Sequence, residues 1–169
     1  MTWIGAWGFS HYYGLRLPTR EEWLKAARGT NDWGYSYGPE GALNRGNTGN
    51  SGDPWDPVVT GSTGYTNETT PVGFYNGQNY QGYQTIDSPS PYGTYDQDGN
   101  VREFTYSWQT QSSHNDGIFT LGSHYSSSAN WATDHYGLLI WQSWYNFEDH
   151  NYAGANMGFR CARTISNSQ

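Results

Sequence analysis

Lysine and cysteine are scarce in this sequence of 169 residues. Lys25 is the only lysine, and the formal net charge is −7. Nucleic-acid binding needs a basic stripe that neutralises phosphates, and none is present, so we expect no nucleic-acid partner. Cys161 is the only cysteine, so no internal disulfide can form. We predict a small buried side chain beside Phe159, with a free reactive thiol as the alternative.

Long apolar runs are also missing. No stretch reaches the roughly 20 apolar residues that span a bilayer, so no membrane span is predicted. The opening MTWIGAWGFS lacks the positive charges that begin a secretory signal peptide. Two interpretations stay open: a cytoplasmic protein, or an internal or processed piece of a longer one.

Aromatic residues and glycine are abundant instead. The chain has 9 Trp, 15 Tyr, 6 Phe and 22 Gly, while aliphatic residues are few. Such a composition argues against disorder and predicts a core of large flat side chains with much loop between them. The length suits one domain.

Two short helices are predicted near the start of the chain. The segment LPTREEWLKAARG places Thr19 as N-cap and Glu22 three residues later, which is a capping box, and Gly29 follows the last turn. The helix should therefore span Arg20 to Arg28. Apolar spacing also predicts a short helix from Trp3 to Tyr13, weakened by two glycines.

Helical periodicity ends after Gly29. Residues 30–70 are rich in Gly, Asn, Ser, Thr, Asp, Tyr and Pro, and so long a run without regular structure is uncommon inside a compact domain. Ion binding and packing through its own aromatics are two explanations. Short strands are predicted at Pro71–Phe74, Val101–Tyr106, Phe119–Leu121 and Gly158–Ala162.

Four phrases in this order resemble one family: GLRLPTREEWLKAARG, TTPVGFY, PYGTYDQDGNVREF and NMGFRCAR. They are similar to the formylglycine-generating enzyme (sulfatase-modifying factor) family, whose fold is a variant of the C-type lectin fold. The resemblance implies an α+β, loop-rich fold with two short N-terminal helices and short antiparallel strands. It implies one domain over residues 1–163 with a tail at 164–169, lacking the first strands of the family.

The segment YDQDGNVREF is the strongest candidate for a cation site. Asp96 and Glu103 can offer carboxylates, and the carbonyls between them can fill other positions around a hard cation. An Asx-type turn formed by Asp96 or Asn100 is the alternative, and a catalytic acid pair is a third. The resemblance implies calcium, bound at Asp96, Gly99, Val101 and Glu103.

The resemblance also implies a second calcium site, which is incomplete in this chain. Thr63 stands where the family has an aspartate, and a threonine is a weak ligand. We expect this site to be degraded or empty. Its candidate members are Asn44, Arg45, Thr63 and Tyr65.

The catalytic signature of the resembled enzymes is missing. They hold copper with two cysteines five positions apart, and thiolates suit Cu(I) in a way that oxygen ligands do not. Ser127 and Ala132 stand at these two positions. We therefore expect no copper and loss of the oxidase reaction. The five histidines form no HxxxH or HxH pair, and no serine-nucleophile motif is recognisable.

The segment from His124 to Tyr152 combines aromatic rings with Ser, Asn, Asp and His. This mixture is typical of paratopes and of sugar-binding faces, although the rings could equally form the core. We predict Trp131, Leu138, Leu139 and Ile140 inside. The candidate ligand-binding residues are Tyr125, Ser127, Asn130, His135, Tyr136, Trp144, Tyr145 and His150.

The hypothesis that follows is a non-enzymatic, calcium-stabilised module that binds a protein or a carbohydrate through residues 123–153. Calcium, and the secreted members of the resembled family, predict an extracellular or cell-surface location. One alternative is a residual metal-dependent oxidoreductase of the formylglycine-generating or sulfoxide-synthase type. Others are a subunit of an extracellular assembly, homo-oligomeric or larger, and a variable protein diversified by a retroelement, which shares the lectin-like fold.

Overall fold

The computed structural model describes residues 1–39, 41–42, 44–49, 51–55, 68–109, 117–126, 145–146 and 153–165. Two helices come first, α1 at Trp3–Tyr12 and α2 at Arg20–Arg28. Both helix predictions are confirmed, although α1 ends one residue earlier than expected, because Tyr13 is its C-cap.

The ends of α2 follow the local sequence closely. The hydroxyl of Thr19 accepts from the Glu22 amide at 3.2 Å, and the Glu22 carboxylate accepts from the Thr19 amide at 2.9 Å. This reciprocal pair is the predicted capping box. Gly29 closes the helix with φ +62, where a side chain would be strained.

Within the described residues six short strands follow: β1 at Asn79–Tyr80, β2 at Tyr83–Gln84, β3 at Arg102–Gln109, β4 at Gly117–Leu121, β5 at Tyr145–Asn146 and β6 at Met157–Phe159. The first two form a small hairpin, and the others form one sheet in the order β5-β4-β3-β6. Strand β3 is antiparallel to β4, with a register irregularity between Phe104 and Trp108, and parallel to β6.

Three strand predictions are confirmed with shifted ends, and the first is wrong. Pro71–Phe74 forms a turn, because the Phe74 amide bonds back to the Pro71 carbonyl at 3.1 Å and Gly73 has φ +75. The expectation of antiparallel strands is wrong for β6. Its connection from β5 crosses to the other edge of the sheet, so it enters parallel to β3, and apolar patterns carry no signal for strand direction.

The core of the described residues has two parts. The first joins α1 to the sheet, and Trp3 also donates its indole N–H to the Thr105 carbonyl at 2.9 Å. Its members are Trp3, Ala6, Leu17, Phe104, Ile118 and Met157. The second part, Trp23, Ala27 and Leu121, joins α2 to β4.

Cys161 is exposed, so the prediction of a buried side chain is wrong. Strand β6 ends at Phe159, and the chain beyond it runs along the surface near α1, where the Cys161 sulfur lies 3.4 Å from the Ser10 hydroxyl. In the part of the chain that the structure describes, no helix combines the length and apolarity that a bilayer crossing requires.

Candidate functional site

The loop Asp96–Val101, which precedes β3, is held by contacts with distant loops. Asp96, Gly99 and Asn100 all have positive φ, at +57, +84 and +61. The Asp96 carboxylate accepts from the Gly73 amide at 2.6 Å. The Asn100 side chain bonds both the amide and the carbonyl of Thr70, at 3.0 and 3.2 Å. The two side chains thus bond amides more than 20 residues away, and their role extends beyond a local Asx turn.

At Gly99 the backbone of Asn47 comes into direct contact with this loop. The Asn100 amide donates to the Asn47 carbonyl at 2.7 Å, and a Cβ placed on Gly99 would lie 2.0 Å from the same carbonyl oxygen. Only glycine combines this proximity with φ +84. The backbone of Asn47 therefore packs directly on the Asp96–Val101 loop.

Glu103, the first inward residue of β3, is 5% exposed and bonded on both carboxylate oxygens. Its Oε2 accepts from the Trp23 indole at 2.5 Å and from Arg160 Nε, while its Oε1 accepts from a second Arg160 nitrogen at 2.7 Å. The same guanidinium donates to the Tyr95 and Asp96 carbonyls at 3.1 and 3.2 Å. Arg160 therefore joins the loop to β3, and Glu103 joins β3 to α2 through Trp23.

Several charged side chains around this loop are partly or fully buried. Burial raises the pKa of Asp98 to about 6, although the Ser36 hydroxyl and amide both donate to it. Burial also raises the pKa of Asp96. Burial alone would lower the pKa of Arg160, but attraction to Glu103 and their hydrogen bonds raise it. Attraction to Arg160 lowers the pKa of both aspartates, but by less than burial raises it.

The predicted calcium ligands match a hard divalent cation in atom type, although Arg160 already bonds both carboxylate oxygens of Glu103. Asp96 and the carbonyls of Gly99 and Val101 supply oxygen, and Glu103 Oε1 keeps one lone-pair direction besides its bond to Arg160. No group of three or more His, Cys, Asp or Glu side chains suited to a metal occurs among the described residues. A calcium ion here would therefore depend on backbone carbonyls for part of its shell.

The weaker second site is only partly within the described residues. The Asn44 side chain donates to the Gln84 carbonyl at 3.3 Å, and the Asn44 carbonyl accepts from the Ile86 amide at 2.9 Å. The Arg45 guanidinium lies over the Tyr37 ring, 5.6 Å from its centroid. Thr63 and Tyr65 lie outside the described residues.

The predicted ligand-binding segment starts beside the Asp96–Val101 loop. Tyr125 is half-buried, and its amide donates to the Asn100 carbonyl at 3.0 Å. The Tyr145 backbone pairs with Ile118 in the sheet. The other candidates lie outside the described residues, as do Ala132 and the four predicted inside positions. These candidates are Ser127, Asn130, His135, Tyr136, Trp144 and His150.

His124 precedes Tyr125, and its surroundings favour the uncharged imidazole. Burial lowers its pKa to about 4, with a further contribution from nearby Arg102. Its Nδ1 lies 2.8 Å from the Ser126 hydroxyl. The start of the segment is thus tied down by local hydrogen bonds as well as by Asn100.

Sequence reasoning missed Arg160, the central cation of the cluster. It stands in the phrase NMGFRCAR, 57 positions after Glu103, and nothing in the spacing joins the two. One signal was available: an arginine inside an apolar strand phrase must find a buried anion. Trp23 was missed as well, and its indole N–H orients Glu103.

The helices, the sheet and the Asp96–Val101 loop together define a formylglycine-generating-enzyme-like fold. A family model described as the sulfatase-modifying factor enzyme 1-like domain matches residues 1–165, and the chain belongs to this family. No curated protein matches the chain significantly in sequence.

Two solved structures share the fold at 22% sequence identity. The crystal structure of CarF matches with a TM-score of 0.54, covering 90% of this chain and 48% of that one. Treponema denticola variable protein 1 matches with a TM-score of 0.57, covering 87% and 46%. This chain thus spans about half the length of each, and at this identity the likeness shows the fold alone.

Proposed function

We propose that the chain is a non-enzymatic, calcium-stabilised module that binds a protein or a glycan through residues 123–153. The proposal that the chain is not an oxidase rests on its cysteine count. With Cys161 as the only cysteine, the chain cannot supply the two thiolates that hold Cu(I) in the enzymes it resembles. Its one thiol lies beside Ser10 on α1, away from the position of that pair in sequence.

The proposed binding surface is a long segment held at fixed points. Tyr125 bonds to Asn100 near its start, β5 pairs with β4, and β6 pairs with β3 just after its end. Long loops presented by a rigid scaffold commonly carry recognition residues. The Tyr, Trp, Ser, Asn and His of the segment supply rigid contact area with adaptable hydrogen bonds beside it.

A second candidate is a variable protein diversified by a retroelement. The fold similarity to a protein named as a variable protein favours it. This candidate keeps the same surface and the same absence of catalysis, and differs only in whether the segment changes among close copies of the gene. An extracellular location is part of both proposals, because a calcium site of moderate affinity fills in calcium-rich surroundings.

Binding is tested with purified protein in calcium on a glycan array and against a panel of bacterial surface proteins. We expect retention of one ligand class. Trp144→Ala and Tyr136→Ala should each weaken binding by about tenfold or more, because aromatic residues dominate contact energies. Tyr92→Ala, which truncates an exposed tyrosine outside the segment, is the matched control and should bind normally.

The competing hypothesis, an oxidoreductase, is tested by a separate assay and by metal analysis. Conversion of a peptide thiol to an aldehyde in air with added copper would contradict the proposal. So would one copper or iron ion per chain in purified protein.

Calcium should raise thermal stability. With calcium at about 100 times its dissociation constant, binding adds about 2.7 kcal/mol, which raises the melting temperature by about 5–10 °C over protein in chelator. Asp96→Asn keeps an oxygen for the Gly73 amide but loses the charge, so it should abolish the shift. Asp32→Asn, at an exposed position, should keep it. Equal melting temperatures with calcium and with chelator would contradict the calcium site.

A further inference from the structure

Helix α1 has large apolar side chains on its solvent side as well as on its buried side, and His11 is its one ionisable residue. Its sequence WIGAWGFSHY has no acidic, lysine or arginine residue. Trp3, Ala6 and Ser10 are buried against the sheet. On the other side, Ile4 is 48% exposed and Tyr12 is 82% exposed. A helix that is hydrophobic all round is normally covered all round, so this surface indicates a partner.

The exposed surface continues onto β3. The Trp3 ring stacks on Trp7 at 6.4 Å and on Tyr106 at 6.5 Å, and contacts Trp108 edge-on at 5.3 Å. Each of these three neighbours is at least 38% exposed. We call the resulting surface the α1 face. It consists of Ile4, Trp7, His11, Tyr12, Tyr106 and Trp108, with the His11 ring stacked on Trp7 at 5.4 Å.

The solvent-facing residues of α1 are arranged so that they could pair with the same residues of a second copy. Residues four apart lie above one another on a helix, so Ile4, Gly8 and Tyr12 form one row. A Cβ added at Gly8 would meet nothing within 4 Å, which leaves a gap between two large side chains. If a second α1 crosses antiparallel at Gly8, Ile4 meets the partner's Tyr12, and Tyr12 meets the partner's Ile4. This exchange of contacts is what a two-fold axis requires.

The net charge of the chain and the area of the α1 face are also compatible with a second copy as the partner. The chain carries a net charge of −7, so two copies approach with least repulsion through a surface without carboxylates, and the α1 face has none. Its half-exposed rings and Ile4 present on the order of 600 Å² per copy. Two such faces bury about 1,200 Å², the lower end of the range for stable specific interfaces.

We propose that the α1 face is the interface of a two-fold homodimer in which the α1 helices of two copies cross antiparallel at Gly8. The proposed dimer is independent of ligand binding and of calcium. It gives the module two binding segments per particle, which strengthens attachment to a repetitive surface through effective concentration.

Molar mass measured by light scattering after size exclusion, from 1 to 100 µM protein, tests this interface. We expect a dimer for the unaltered chain at 100 µM. Gly8→Leu should be monomeric at the same concentration, because leucine fills the crossing point. The monomer tolerates leucine there, since the position is open and leucine favours helix more than glycine does.

A second pair of variants tests the same contact through charge. Tyr12→Glu should also be monomeric, whereas Val72→Glu, at a position that is 92% exposed outside the α1 face, should remain dimeric. Unchanged circular dichroism checks that each variant is folded. A monomeric unaltered chain at 100 µM would overturn the proposal and leave the face to a different partner. A dimer that survives both Gly8→Leu and Tyr12→Glu would place the interface elsewhere and overturn it as well.

Discussion

Replacing Arg160 by alanine is expected to lower the free energy of unfolding by about 3–5 kcal/mol, because it leaves the buried Glu103 carboxylate without its cation. Glu103 is 5% exposed, so water cannot take over from the guanidinium. The change also removes donors from the Tyr95 and Asp96 carbonyls. Urea denaturation at pH 7, followed by circular dichroism, measures the loss.

Arg16→Ala is the matched control. Arg16 also forms a two-pronged pair, with Glu22, but both side chains are more than a third exposed. Solvent screening limits the contribution of such a pair to about 1 kcal/mol or less. If the two variants lost similar stability, burial would not be the reason for the importance of Arg160, and the cluster would need a different explanation.

Gly99→Ala should lower the free energy of unfolding by an amount similar to that for Arg160→Ala, because the added methyl group does not fit. The added methyl carbon would lie 2.0 Å from the Asn47 carbonyl oxygen and 2.6 Å from its carbon. That backbone cannot retreat easily, since the Asn100 amide bonds it and the Asn47 side chain bonds the Glu68 carbonyl at 2.7 Å. Left-handed strain and overpacking together should cost about 3–5 kcal/mol, measured by the same urea titration.

Gly93→Ala separates the cost of left-handed backbone strain from the cost of overpacking. Gly93 has φ +76, close to the +84 of Gly99, but an added Cβ would meet nothing within 4 Å. Only the strain of the left-handed conformation remains, so the expected loss is about 1 kcal/mol. Equal losses at the two glycines would mean that backbone conformation, and not the contact with Asn47, makes Gly99 necessary.

Much of the helical structure could be predicted from the sequence because it depends on neighbours in the chain. The capping box of Thr19 and Glu22 needs only a spacing of three residues. Strand positions were predictable to within a few residues for β3, β4 and β6. The turn at Pro71–Phe74 was not, since a short apolar run does not reveal that Gly73 takes a left-handed conformation.

The candidate site was predictable in part for the same reason. Asp96, Gly99 and Glu103 lie within eight residues, so their proximity was readable. Arg160 and Trp23 approach Glu103 from 57 and 80 positions away, and only the packing of β6 and α2 on β3 brings them there. The exposure of Cys161 was missed because it depends on where β6 ends.

By itself, the sequence determined the family resemblance, the helix ends and the lack of a thiolate pair, since these follow from residue identity and short spacings. Only the tertiary structure decided that a guanidinium holds Glu103, that Asp98 is buried against Ser36, and that the rest of the described chain leaves one apolar side of α1 uncovered. Charge balance and exposure depend on which distant segments pack together. A linear sequence does not contain those distances.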